Sequence, residues 1–231
     1  MAALDDLLDA VFGAERPARE DAFFEEFAGW ARDSRRFRDF ATEYSTKIRA
    51  KLRRAGDEEA LADVRAELET AALLLGDRRF TLEYEKYAAS RQRGPDFTVT
   101  FRTHTPFNVE VRRIRSLELD DDYSGKLMAV LGDKVGQTQP GMPNLLWLIA
   151  GPPVTLEGLE EPAAALRALA ERKEEAYFTR RGYRSAADFI RRYQQLSGIV
   201  LRRPDESALW LNPIARHKAP PDVVKALRQL A

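Results

Sequence analysis

The sequence predicts an α/β protein with a mixed central sheet flanked by helices. Two observations locate strands: alternating apolar residues on both sides of a turn between Gly94 and Arg113, and a continuous apolar run, NLLWLIA, at 144–150. A third is the helical apolar spacing that precedes and follows these strands. A continuous apolar run is typical of a strand covered on both faces, which a sheet between helical layers provides.

The composition excludes several classes of site. The chain of 231 residues has no cysteine, which excludes disulfides and zinc–thiolate sites. Its 37 basic and 37 acidic residues balance, so no overall charge attracts a polyanion. The first residues, MAALDDLLDAVFG, are acidic where a signal peptide is basic, and no apolar run is long enough to span a bilayer. We therefore expect a cytoplasmic protein without a membrane partner.

The N-terminal part of the sequence has helical periodicity. The segment 35–54 keeps one apolar stripe in register and predicts a single helix, and glycine at 76 is typical of the end of the helix before it. The alternation in RRFTLEYEKY predicts a strand. The expected elements are helices over 3–12, 20–31, 35–54 and 57–75 and a strand over 78–87.

The segment GPDFTVTFRTHTPFNVEVRR predicts a β-hairpin with one apolar and one polar face. Pairing Phe101 with Phe107 across a five-residue loop separates the two kinds of residue completely. In this register Thr98 faces Glu110, and Asp96 faces Arg112. A slip of one residue would mix the faces.

The remaining elements follow in βαβ order. A strand, a helix over 123–136 and the buried strand at 144–150 predict a right-handed crossover and a parallel strand pair. Further expected elements are helices over 159–176 and 185–196, a hairpin around PDES, and a closing helix over 220–230. We assign residues 1–34 to a helical N-terminal extension and 35–231 to one α/β domain, of which 151–231 supplies the C-terminal helices and hairpin.

The polar face of the first hairpin is the candidate site. Asp96 and Glu110 are diagonal neighbours there, close enough to share a cation. A hard ion such as Mg²⁺ binds oxygen ligands and keeps several waters, so two carboxylates suffice.

This arrangement resembles the PD-(D/E)XK nuclease superfamily. The dipeptide PD at 95–96 matches the first half of its motif and EVR at 110–112 matches the second, with arginine in place of the usual lysine. The predicted order of helix, three strands, helix and strand over 57–150 matches the restriction-endonuclease-like core of that superfamily. The resemblance implies a metal-dependent nuclease that uses Mg²⁺ or Mn²⁺ to hydrolyse phosphodiester bonds in DNA or RNA.

The same resemblance implies roles for further residues. Glu67, with Glu69 as the alternative, matches an acidic metal ligand on the first core helix. Lys134 and Gln137 match a region that contributes a catalytic lysine or contacts substrate. Arg112 replaces the family lysine; it keeps the charge but does not act as a general base.

The basic run RRIR, which includes Arg113, and the runs TRRGYR and RRYQQ are candidate phosphate contacts. Three alternatives stay open. Asp96 and Arg112 form only a surface ion pair, the chain is a catalytically inactive nuclease-fold protein that binds nucleic acid or protein, or it is an interaction protein built on its N-terminal helices. His104 and His217 have no partner at ligand spacing, which favours surface roles.

Overall fold

The computed structural model describes residues 2–13, 21–87, 94–114, 123–135, 138–151, 154–155, 157–203 and 207–230. The chain forms two compact units, an N-terminal unit, Met1–Tyr84, and a C-terminal unit, Glu85–Ala231. This division differs from the boundary that the sequence predicts between 34 and 35. No helix in the described ranges has both the length and the apolar character needed to cross a bilayer.

The N-terminal unit contains five helices and one strand in its described part. The predicted helix over 35–54 is two helices, because Tyr44 leaves helical geometry at φ −102° and ψ 14°. Buried aromatic rings, including those of Phe12, Phe27 and Phe37, meet edge to face at centroid distances of 5.3 and 5.4 Å. The elements are α1 (Ala2–Phe12), α2 (Asp21–Asp33), α3 (Arg35–Glu43), α4 (Ser45–Arg54), α5 (Glu58–Gly76) and β1 (Phe80–Tyr84).

The C-terminal unit carries the sheet that forms the candidate site. Its strands β2 to β6 lie side by side in chain order. The pairs β2–β3 and β5–β6 are antiparallel, and β3–β4 and β4–β5 are parallel. The elements are β2 (Phe97–Phe101), β3 (Thr105–Arg113), α6 (Tyr123–Val135), β4 (Asn144–Ile149), α7 (Glu157–Glu171), α8 (Glu175–Thr179), α9 (Ala186–Tyr193), β5 (Leu196–Arg202), β6 (Ser207–Leu211) and α10 (Pro221–Gln229).

The predicted α/β class is confirmed: a mixed sheet is flanked by helices, with further helices at the N-terminus. The crossover through α6 gives the expected parallel pair of β3 and β4. The hairpin around PDES is also present as β5 and β6, although part of its loop, 204–206, lies outside the described residues.

The predicted register of the first hairpin is wrong by two residues. Phe101 pairs with Thr105, and Phe97 pairs with Val109, so the loop has three residues instead of five. Arg102, the first residue of that loop, adopts a left-handed conformation with φ 57°. A shift of two keeps every residue on its face, because side chains alternate with period two. The predicted pairs Thr98–Glu110 and Asp96–Arg112 are not part of the observed register, in which Thr98 pairs with Asn108.

The polar face of this hairpin is buried. Thr98 and Asn108 are 3% and 1% exposed, and they pair across β2 and β3. On the same face, buried residues of α6 such as Leu127 and Leu131 form one apolar cluster with Leu146 of β4. The helices therefore cover a face whose polar composition alone suggests contact with solvent.

Candidate active site

Asp96 is held at the entrance of β2 by the neighbouring strand. Its Oδ2 accepts a hydrogen bond of 2.8 Å from the backbone N–H of Val111. The pairing of β2 with β3 begins at Phe97, which lies opposite Val109, so Asp96 stands just outside the ladder. The hydrogen bond ties its carboxylate to the residue that follows Glu110 in β3. That Asp96 and Glu110 share a cation stays a prediction.

Glu110 is joined by a lysine from α6. The ammonium group of Lys134 donates a hydrogen bond to Oε1 of Glu110, and the two side chains are 17% and 14% exposed. Val135, the next residue of α6, is buried in the apolar cluster under the helix, which fixes the end of α6 above the sheet. The fold thus brings together two candidate residues that are 24 positions apart in the sequence.

The two arginines of β3 lie on opposite faces. Arg112 follows Glu110 by two positions and shares its face, where it is half-buried. Its side chain makes no hydrogen bond or ion pair with any residue in the described ranges. Arg113 falls on the other face, with Val109 and Val111, so the strand separates it from the carboxylates. Gln137 lies outside the described residues.

Glu67 lies on α5 in the N-terminal unit, where two donors engage its carboxylate. Oε2 of Glu67 accepts hydrogen bonds of 2.5 Å from Nζ of Lys51 and 2.6 Å from the hydroxyl of Tyr84. The Lys51 ammonium also lies 4.8 Å from the centre of the Tyr84 ring. This polar cluster leaves the Glu67 side chain 15% exposed.

A buried polar network beside the site is not predicted from the sequence. Thr98 donates to Oδ1 of Asn108 at 3.1 Å, and Asn108 donates to Oδ1 of Asn144 at 3.0 Å. The Asn144 side-chain amide also donates to the backbone carbonyl of Gln139 and accepts from the backbone N–H of Gln139. The backbone N–H of Asn144 donates to Oγ of Ser197 at 2.9 Å. The only sign of this network in the sequence is an asparagine at the start of an apolar strand. The network fixes the chain after α6 to the starts of β4 and β5.

A small cavity lies between this network and the ion pair. Its volume is about 10 Å³, enough for about one water molecule. Polar and apolar side chains both line it, among them Asn108, Glu110, Lys134, Asn144 and Leu146. This space is too small to hold a phosphodiester.

The donor set fits a magnesium ion by its chemistry. Within the described ranges, no three or more acidic or histidine side chains form a group that could hold a metal. Asp96 and Glu110 nevertheless offer two carboxylates from segments that the Val111 hydrogen bond ties together, and Mg²⁺ usually binds one or two carboxylates while waters and phosphate complete its shell.

Comparisons with known proteins add no relative. No protein-family model, curated protein or solved structure gave a significant match to this chain. The likeness to the PD-(D/E)XK superfamily therefore depends on Asp96, Glu110 and the order of the elements.

Proposed function

We propose that this chain is a metal-dependent nuclease that hydrolyses phosphodiester bonds in nucleic acid. One observation carries the proposal: the Asp96 carboxylate accepts a hydrogen bond from the backbone N–H of the residue after Glu110, and Lys134 reaches Glu110 from the following helix. Two carboxylates and a lysine are the groups that the superfamily resemblance requires, with the lysine supplied by α6 instead of β3.

Asp96 and Glu110 would hold Mg²⁺ or Mn²⁺. When bound, such an ion lowers the pKa of a coordinated water and neutralises charge on the scissile phosphate. The Val111 N–H orients the Asp96 carboxylate, since it fixes Oδ2 at 2.8 Å. Lys134, whose ammonium group contacts Glu110, would position the attacking water. Arg112 shares this face, and the fork of its guanidinium group would bind a phosphate oxygen.

The experiment is a cleavage assay with Mg²⁺ or Mn²⁺ on duplex and single-stranded DNA and RNA. The Asp96→Asn, Glu110→Gln double variant is expected to lose cleavage while keeping its fold. Asp133→Asn is the matched control, because it removes an exposed carboxylate next to Lys134. Equal cleavage by the double variant and the wild type would point to a contaminating nuclease and overturn the proposal.

A second candidate is a nuclease-fold protein that binds nucleic acid without cleaving it. It is favoured by the arginine at position 112 and by the engagement of Glu110 with Lys134. Such a protein would bind nucleic acid equally well with EDTA and with Mg²⁺, and it would cleave none of the four substrates.

A further inference from the structure

The segment from Tyr177 to Tyr193 is strongly basic within a chain of zero net charge. It contains five arginines and one acidic residue, Asp188. We define the basic surface as Arg180, Arg181, Arg184, Arg191 and Arg192. Four of these side chains are exposed and that of Arg181 is half-buried.

Buried aromatic rings hold this segment in place. The rings of Phe178 and Phe189 stack at a centroid distance of 4.5 Å, and Tyr183 packs edge-on against Phe189 at 5.2 Å. Gly182, at φ +81°, allows the chain to turn between α8 and α9. Because these rings point inward, the arginines between them are turned outward.

Asp188 neutralises only part of this charge. Burial opposes its ionisation, but hydrogen bonds from the Arg184 backbone N–H and from Arg191, together with the charge of Arg192, lower the pKa of Asp188 below its ordinary value. The guanidinium groups of Arg180 and Arg184 have no ion-pair partner among the described residues. Two exposed guanidinium groups therefore remain available, and their planar forks suit bidentate contact with phosphate.

The basic surface is attached to the helix that carries Lys134. The Tyr183 hydroxyl donates a hydrogen bond to the backbone carbonyl of Gly132, two positions before Lys134 on α6. Cδ of Arg181 lies 3.4 Å from the place where a Cβ of Gly132 would be. The Arg181 guanidinium also stacks on Tyr177, 3.8 Å from its ring centre. The basic surface and the helix that carries Lys134 are therefore neighbours.

The surface chemistry favours contact with phosphates instead of bases. Single-stranded nucleic acid is usually bound through exposed aromatic rings on which bases stack. Here the rings of Phe178, Tyr183, Phe189 and Tyr193 are buried, and Arg181 covers Tyr177. Across the described residues, Leu211 is the only large apolar side chain classed as exposed, so this surface also lacks an apolar anchor for a membrane.

We propose that the basic surface binds the phosphate backbone of a nucleic-acid duplex, independently of base sequence, and positions it toward α6. This inference rests on the proposed function for the class of its substrate. It concerns binding alone, however, so binding and cleavage can be tested separately.

The test measures binding in EDTA, which prevents metal-dependent cleavage. Fluorescein-labelled 20-base-pair DNA and RNA duplexes of two unrelated sequences are titrated by anisotropy between 50 and 200 mM salt. The variant is Arg180→Gln with Arg184→Gln. The matched control is Arg53→Gln with Arg54→Gln, which removes the same charge from exposed positions of α4.

Each phosphate contact contributes about 0.9 to the slope of log K against log salt on duplex DNA. Loss of two contacts is expected to reduce that slope by about 1.8, with affinity at 50 mM salt lower by 10-fold or more. The control is expected to keep the wild-type slope. Similar losses for both sequences support backbone recognition, and the two kinds of duplex show whether DNA or RNA is preferred.

Several outcomes would overturn the inference. An unchanged slope in the Arg180, Arg184 variant is one, and an equal loss in the control is another. Equal binding of a poly-Glu peptide or of anionic vesicles through Arg180 and Arg184 would assign the surface to a different partner. Duplex binding that depends on these arginines, without cleavage under any metal condition, would retain the surface and remove the nuclease proposal.

Discussion

The ammonium group of Lys134 near the end of α6 contacts Oε1 of Glu110 in β3, and neither side chain is more than 17% exposed. An ion pair this far from solvent is costly to break, because removal of one partner leaves the other charge without compensation. The pair therefore has consequences for stability that are separate from its proposed role in cleavage.

We expect Lys134→Met and Glu110→Gln each to lower the free energy of unfolding by about 1 to 3 kcal/mol, measured by urea denaturation. The double variant should lose less than the sum of the two, since it leaves no unpaired charge. The exposed pair Arg167–Glu171 serves as a control, because Arg167→Met and Glu171→Gln should each cost no more than about 0.5 kcal/mol. Additive losses at Lys134 and Glu110 would contradict a direct pairing.

In the proposed nuclease, Lys134 and Arg112 contribute unequally to the rate of cleavage. Lys134→Met should reduce the single-turnover cleavage rate by about 100-fold or more, as expected for a group that positions the attacking water. Arg112→Gln should cost about 10-fold, the equivalent of one lost phosphate contact. Arg113→Gln, on the other face of β3, should have a smaller effect than either. Cleavage that survives Lys134→Met but not Arg112→Gln would reverse these two roles.

Asn144 stabilises the chain around the start of β4 through several hydrogen bonds. The two N–H groups of its side-chain amide are shared among three backbone carbonyls, those of Gln139, Met142 and Gln195, at 2.7 to 3.1 Å. Asn144→Ala should lower the free energy of unfolding by about 2 to 4 kcal/mol, because buried carbonyls lose their donor. Thr103→Ala, in an exposed loop, is the control and should stay within about 0.5 kcal/mol of the wild type. A small loss of stability in Asn144→Ala would show that water takes over the hydrogen bonds of the amide.

The lowered pKa of Asp188 predicts a loss of stability in acid. As the pH falls, the unfolded chain takes up the Asp188 proton before the folded chain does, so the stabilisation is complete above about pH 4 and is lost below it. Asp188→Asn should therefore be less stable than the wild type by about 1 to 2 kcal/mol at pH 6. The difference should shrink as the pH approaches 3, measured by urea unfolding across this range. A difference that stays constant with pH would assign the effect to packing.

The Tyr84 hydroxyl supports Glu67 with a hydrogen bond of 2.6 Å, while Lys51 contacts the same carboxylate oxygen. Tyr84→Phe should lower the free energy of unfolding by about 1 to 2 kcal/mol, because the bond is made to a charged group. Lys51→Met should cost more, since it leaves a carboxylate at 15% exposure without its counter-charge. Thermal unfolding of both variants would establish the order, and a larger loss for Tyr84→Phe would contradict it.

The sequence by itself determined the α/β class, the order of most elements and the two faces of the first hairpin. These features depend on local periodicity, with apolar residues every second position in β2 and β3 and at helical spacing in α5 and α6. The same periodicity assigned Asp96 and Glu110 to the polar positions of the first hairpin, and the structure ties Asp96 to the residue after Glu110.

Only the tertiary structure decided the register, the burial of the polar face and the position of the lysine. A register shift of two residues leaves the pattern of faces unchanged, so the sequence could not distinguish Phe107 from Thr105 as the partner of Phe101. Thr98 and Asn108 are buried although they are polar, because helices cover their face and the network with Asn144 satisfies their hydrogen bonds.

The resemblance predicted a role for Lys134, but its contact with Glu110 depends on how α6 crosses the sheet. That crossing is fixed by apolar packing of the whole helix against β4 and its neighbours. Helix ends are equally sensitive to distant packing: the apolar stripe over 35–54 continues past Tyr44, and only the backbone geometry shows that α3 and α4 are separate. Local patterns therefore define which residues face inward, whereas contacts between distant segments define which of them meet.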